Sequence, residues 1–175
     1  MSTRGTISQA PLHAPFWPGG RAISILRNFR TPKTFRVLMN LLNDTNLEIR
    51  ALALRILAFS QDREIARQLT TMINREDFQE KNIHERKSYF HAVARIAGDD
   101  FIPFLSDILS TRSWFRKSEQ EEQYQCATYA LGVIGTPKVK TALQEYAQSK
   151  NSTVRRLSQT ALRILEGAAS PKELQ

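Results

Sequence analysis

The residues of this chain whose types lend themselves to chemistry are three histidines, one cysteine and an unequal set of charges. His13 stands alone near the N-terminus. His84 and His91 lie seven positions apart, about two helical turns, so a helix places them on one face. Metal-binding histidine pairs on a helix use a spacing of about three or four instead, so no metal is expected here. Cys126, the only cysteine, cannot form an internal disulfide and is too few for a zinc cluster. It reads as a buried, inert thiol. Gly19-Gly20 is too short to cradle a phosphate, and Gly98-Asp99-Asp100 reads as an ordinary turn between helices. No nucleophile stands beside a base, so neither a catalytic residue nor a cofactor is expected and the chain reads as non-enzymatic. What remains is basic charge. Lys and Arg number 25 against 17 Asp and Glu, a net +8. Arg21, Arg27, Arg30, Lys33, Arg36, Arg50 and Arg55 meet only Asp44 and Glu48 over the same stretch. A surplus of this kind favours acidic partners, either protein or nucleic acid.

The framework that must position these residues is one domain's worth of chain. At 175 residues, with 41% apolar and 24% charged residues, the composition is that of a folded protein rather than a disordered one. No apolar run approaches the roughly 18 residues of a membrane span, and the N-terminus lacks a secretory pattern. The single cysteine and these absences make a reducing, cytoplasmic location the expectation. Residues 1–18, with Pro11, Pro15 and Pro18, read as a poorly ordered arm or linker. In that arm Phe16 and Trp17 are expected either to fold back over the first helix or to dock on a partner. Residues 168–175 read as a polar tail.

An internal period organises the rest. Thr31-Pro32-Lys33 returns as Thr136-Pro137-Lys138, 105 positions later, and the same shift carries Ile49-Arg50 onto Val154-Arg155 and Leu57 onto Leu162. Three units of about 35 residues account for that shift. Ile25, Ile56, Ala92, Ala130 and Ala161 anchor successive units. Apolar residues recur at helical spacing in two stretches per unit. The expected helices are 20–29, 33–43, 47–59, 62–75, 84–97, 100–110, 119–134, 137–149 and 152–166. Thr31 and Thr136 cap helices that open on proline, Ser152 or Thr153 caps the last helix, and His84 and Glu85 cap and polarise theirs. Small residues (Ala92, Ala94, Ala127, Ala130, Gly132) are expected where helices cross closely. The stretches 76–83 and 111–118 are the longer connections, expected side by side.

The steps Ile49-Arg50…Ala53…Ile56-Leu57, Ala127…Ala130-Leu131-Gly132…Ile134-Gly135 and Val154-Arg155…Ser158…Ala161-Leu162 resemble the HEAT repeat, notably its short bacterial form, also known from phycobilisome lyases. The likeness covers roughly 20–166, within an expected repeat domain of 19–167. It implies an all-α fold, a right-handed α-α superhelix of about four helix pairs plus an N-terminal helix. It also implies a non-enzymatic scaffold for protein partners, as a module that is a candidate piece of a longer repeat protein. In such a stack the second helices line the concave wall. Helical phase then directs Arg27, Arg55, Lys87, His91, Arg95, Tyr129, Arg156 and Arg163 toward it, as the expected partner-binding surface. Arg112, Trp114, Phe115 and Arg116 mix rings and charge in the connection that follows residue 110, and are expected to bind a partner or, for the rings, to plug the core. Arg50 and Arg155 hold the repeat's usual arginine position, where the resemblance makes them structural. Tyr124 departs from it. The alternative function is nucleic-acid binding, as in HEAT-like DNA alkylpurine glycosylases, although no carboxylate accompanies Tyr129. HEAT-like deoxyhypusine hydroxylases bind iron through several His-Glu pairs, whereas this chain has one, His84-Glu85. A bilin lyase would need a pocket that nothing here marks.

Overall fold

The computed structural model describes residues 31–111 and 117–167. The arm, the expected helix 20–29, residues 112–116 and the polar tail lie outside the described residues. Every regular element among the described residues is helical, so the described fold is all-α. The α-helices are α1 (Pro32–Asn40), α2 (Leu47–Leu57), α3 (Arg63–Ile73), α4 (Ile83–Ala97), α5 (Ile102–Ser110), α6 (Lys117–Ile134), α7 (Pro137–Tyr146) and α8 (Ser152–Leu165).

Local chemistry sets their ends. Thr31 and Thr136 each accept a bond from the backbone N–H three residues on, and the proline that follows each starts a helix without losing a needed donor. Asn46 and Asp62 cap α2 and α3 by accepting from the N–H two residues on, and Asn82 caps α4 by accepting from the N–H three residues on. Two expected caps are corrected. Asn151, not Ser152 or Thr153, caps α8, its Oδ1 accepting from Thr153 N at 3.0 Å and Val154 N at 3.3 Å. Asn82 replaces His84 and Glu85 at α4, accepting from Glu85 N at 2.9 Å. The expected loop 76–83 contains a 3₁₀ turn, Glu76–Glu80, because Phe78 dips into the core and meets Tyr89 edge-on at 5.3 Å. Similar 3₁₀ turns shorten the expected 33–43 and 100–110 helices to α1 and α5.

Consecutive helices pack as pairs: α1 with α2, α3 with α4, α5 with α6, α7 with α8. Between pairs, contact runs mainly through the second members, α2 on α4, α4 on α6, α6 on α8. The reason is side-chain size. Ala53, Ala92, Ala127, Ala130, Ser158 and Ala161 are fully buried along these second helices, letting neighbouring backbones approach. Leu38, Leu69, Leu105 and Leu143 fill the space between first and second helices, each stabilising by about 1.5–3 kcal/mol relative to exposure. The helices α4 and α6 end on Gly98 and Gly135, both at positive φ where a side chain would be strained.

One register position joins the pairs. Arg50, Arg86, Tyr124 and Arg155 each stand six residues before Ile56, Ala92, Ala130 and Ala161 respectively. Arg50 donates from Nε and Nη2 to the two oxygens of Glu85, at 2.7 and 2.8 Å, and from Nη1 to the Asp44 carbonyl at 2.8 Å. It therefore ties the turn before its own helix to the next pair. Arg86 does likewise, donating to Gln79 at 2.8 Å and to Glu122 of α6. Tyr124 substitutes a phenol for the guanidinium yet keeps both links: it donates to the Thr111 carbonyl at 2.7 Å and accepts from Asn151 at 3.2 Å. Arg155 repeats the backward half, donating to the Ser149 carbonyl at 2.8 Å. The structural role expected of Arg50 and Arg155 is thus visible in their bonds, and the departure at Tyr124 leaves the geometry intact.

Candidate functional site

A groove of about 720 Å³ crosses the second helices of three successive pairs. From α2 come Glu48, Ala51, Leu52, Leu54 and Arg55; from α4 His84, Lys87, Ser88 and His91; from α6 Tyr129. Helical spacing produces this face. Glu48 and Arg55 are seven apart, as are His84 and His91, so each pair lies along one side of its helix. Arg55, His91 and Tyr129 also share a register position, each immediately preceding the anchors Ile56, Ala92 and Ala130. Four of the expected partner-binding residues, Arg55, Lys87, His91 and Tyr129, therefore line one groove.

The electrostatics are uneven. His91 Nδ1 and the Tyr129 hydroxyl are hydrogen-bonded at 3.1 Å. Burial, reinforced by the Arg95 charge one turn along α4, pushes the His91 imidazole below the ordinary histidine value. Burial raises the Tyr129 phenol, which stays protonated. Lys87 is only 7% exposed, and burial pulls its ammonium down from the ordinary lysine value. Arg55 is exposed at the rim. Arg95 stands with its guanidinium 5.9 Å from the centre of the exposed Phe59 ring. The only carboxylate among the lining residues is Glu48.

The remaining expected residues are placed elsewhere. Arg156 donates to Glu121 of α6 at 3.2 Å, an exposed ion pair. Arg163 reaches the Thr160 hydroxyl at 3.4 Å, and Thr160 holds the register position that Arg55, His91 and Tyr129 occupy in the earlier pairs. Neither lines the groove. Arg27 and the loop set Arg112, Trp114, Phe115 and Arg116 lie outside the described residues. Cys126 is buried on α6 and does not line the groove, its thiol pushed up to about 12 by burial. Among the described residues no group of three or more His, Cys, Asp or Glu is arranged to hold a metal ion. Nor is any helix there long and apolar enough to cross a membrane.

Two features escaped the sequence reading. Arg86 and Glu85, charged neighbours near a helix start, are both buried, and the signal that could have found Arg86 is its register match to Arg50. A second, acidic groove of about 820 Å³ lies where the 3₁₀ turn carrying Glu76, Asp77 and Glu80 meets Glu119 and Gln123 of α6. It sets the connection after α3 beside the start of α6, whereas residues 112–116 of the second long connection lie outside the described residues. Comparison with family models, with curated proteins and with solved structures finds no match for this chain.

Proposed function

We propose that this chain is a HEAT-like α-α solenoid module that performs no reaction and holds a protein partner through the basic face of its second helices. The partner's contacting segment is acidic. One observation carries the reading: Arg55, Lys87, His91 and Tyr129, from three successive helices, converge on one groove whose lining holds a single carboxylate, Glu48. Ala51, Leu52 and Leu54 give that groove an apolar wall, which suits a peptide with both acidic and apolar side chains. The solenoid part of the proposal is supported by the register of the bridges, Arg50 to Glu85 and Arg86 to Glu122, which recur at separations of 35 and 36 residues. Repetition at that interval is what stacked helix pairs require.

The test is a binding titration over a range of salt with two probes, a Glu/Asp-rich peptide carrying leucines and a mixed-sequence oligonucleotide, single- and double-stranded. An acidic-peptide partner predicts peptide binding that keeps a salt-resistant component, because part of the contact is apolar. Preferential oligonucleotide binding, falling linearly in log–log form with salt, would move the assignment to a nucleic-acid-binding protein. Binding of neither probe would remove the groove as an anionic docking face.

A further inference from the structure

The basic groove differs between its two ends, and the alignment of the helices fixes which end is which. Arg50, near the start of α2, is paired with Glu85 near the start of α4. Arg95, in the last turn of α4, stands over the ring of Phe59, in the turn that closes α2. The two helices therefore run parallel, their starts at one end of the groove and their ends at the other. The bonds from Arg86 to Glu122 and between His91 and Tyr129 set α6 in the same direction. Glu48 and His84 mark the starting end. Arg55 lies two turns further along α2, and Phe59 lies beyond it.

At the far end, positive charge and an apolar ring stand together in the open. Arg50, Arg63, Arg86 and Arg156 are each engaged in an ion pair, whereas Arg55 and Arg95 have none among the described residues and both are exposed. Phe59 is 42% exposed and is the only aromatic among the large apolar side chains left exposed in the described residues. Arginine in a last turn also suits the negative end of its helix, which accounts for the residue type at 55 and 95. It does not account for a phenylalanine left in water beneath one of those guanidinium groups. A ring flanked by a guanidinium offers an apolar surface and a fixed positive charge to the same neighbour. The starting end offers the reverse, since Glu48 is the one carboxylate of the lining.

We infer that Phe59, Arg95 and Arg55 form one subsite for a large apolar residue flanked by a carboxylate, and that the partner's segment lies along the groove in one direction. Its acidic, apolar end rests on Phe59, and an uncharged or basic end meets Glu48. The inference rests on the groove being a docking face for a protein segment, and adds the order of charges in that segment. From Glu48 to Leu57 the helix advances about 14 Å at about 1.5 Å per residue, an interval that about four extended residues span. A polymer of uniform negative charge, an oligonucleotide or a run of glutamates, brings anions against Glu48. A segment of unequal ends meets its complement at both.

Fluorescence anisotropy on the full chain tests it with three labelled peptides: one with Leu-Glu-Glu at one end and lysines at the other, a second with that leucine changed to alanine, and a third with the lysines changed to glutamates. The parent is expected to bind the first about fivefold or more tighter than either of the others. Phe59→Ala should weaken the first peptide by about that factor and the alanine peptide by less than about twofold, the coupling a direct contact requires. Glu48→Gln, a change at an exposed site, should erase the preference for lysines over glutamates and keeps the test open if Phe59→Ala melts early. Tighter binding of the all-acidic peptide, or of an oligonucleotide, would overturn the inference. Weakening by Arg55→Glu alone, with Phe59→Ala and Glu48→Gln silent, would overturn it while leaving the docking face in place. Indifference to all three substitutions, or no peptide bound, would overturn both.

Discussion

The second helices of this protein carry two rows of charged and polar residues with opposite fates. In the row formed by Arg50, Arg86 and Tyr124, each side chain bonds in both directions, to the turn before it and to the following helix pair, although Arg86 Nε is left without a partner. In the row formed by Arg55, His91 and Tyr129, joined by Lys87, positive and hydrogen-bonding groups face an open groove with Glu48 as the one carboxylate. The same residue type thus serves cohesion on one side of a helix and presents charge on the other. The difference arises from what stands opposite: a bonding partner in the next helix pair in the first case, and in the second a groove in which His91 and Tyr129 bond to each other and Arg55 is exposed. Counting arginines does not separate the two rows. Their register does.

Disrupting the cohesive side has the larger consequences. Ala130→Asp places an unpaired carboxylate at a fully buried helix crossing, and the expected loss of several kcal/mol should leave the variant largely unfolded in a thermal melt. Glu85→Ala is expected to destabilise by about 2 kcal/mol in urea unfolding, less than a fully buried broken pair, because Arg50 stays partly hydrated and keeps its carbonyl bonds. The same pair sets an acid limb. The Arg50 bond, followed by the Lys81 charge, holds the Glu85 carboxyl below the ordinary glutamate range. Its contribution is therefore complete above the unfolded value, near pH ~4.3, and is lost as pH falls through the folded value. Glu85→Gln should flatten that part of the stability-against-pH curve. Tyr124→Phe removes a donor to Thr111 and an acceptor for Asn151, with an expected cost of about 1 kcal/mol. Smallest in stability, Arg55→Glu changes an exposed charge only and should shift the unfolding free energy by no more than about 0.5 kcal/mol.

Sequence patterns made much of this architecture legible, for identifiable reasons. The Thr-Pro steps at 31 and 136 announce helix starts because proline has no donor to lose there. The small residues Ala92, Ala127 and Ala130 announce close crossings, and all three are fully buried. The α8 cap was misplaced because asparagine, serine and threonine cap comparably, and only the observed bonds separate Asn151 from its neighbours. Phe78 falls in an expected loop, since a single aromatic within a polar stretch carries no period. Glu85 and Arg86 were hidden for a different reason: their partners, Arg50 and Glu122, lie one whole unit away, beyond any window that local patterning can span. At the groove, phase alone grouped Arg55, Lys87, His91 and Tyr129, but it could not foresee that Arg156 would meet Glu121.

The most direct test of the contrast between the two rows is a titration of a fluorescent acidic peptide into the parent and into the Arg55→Glu variant, alongside thermal melts of both. A docking face separate from the cohesive bridges predicts about tenfold weaker binding or more, equivalent to about 1.4 kcal/mol, with an unchanged melting temperature. Equal affinity for parent and variant, or binding lost only together with folding, would contradict it.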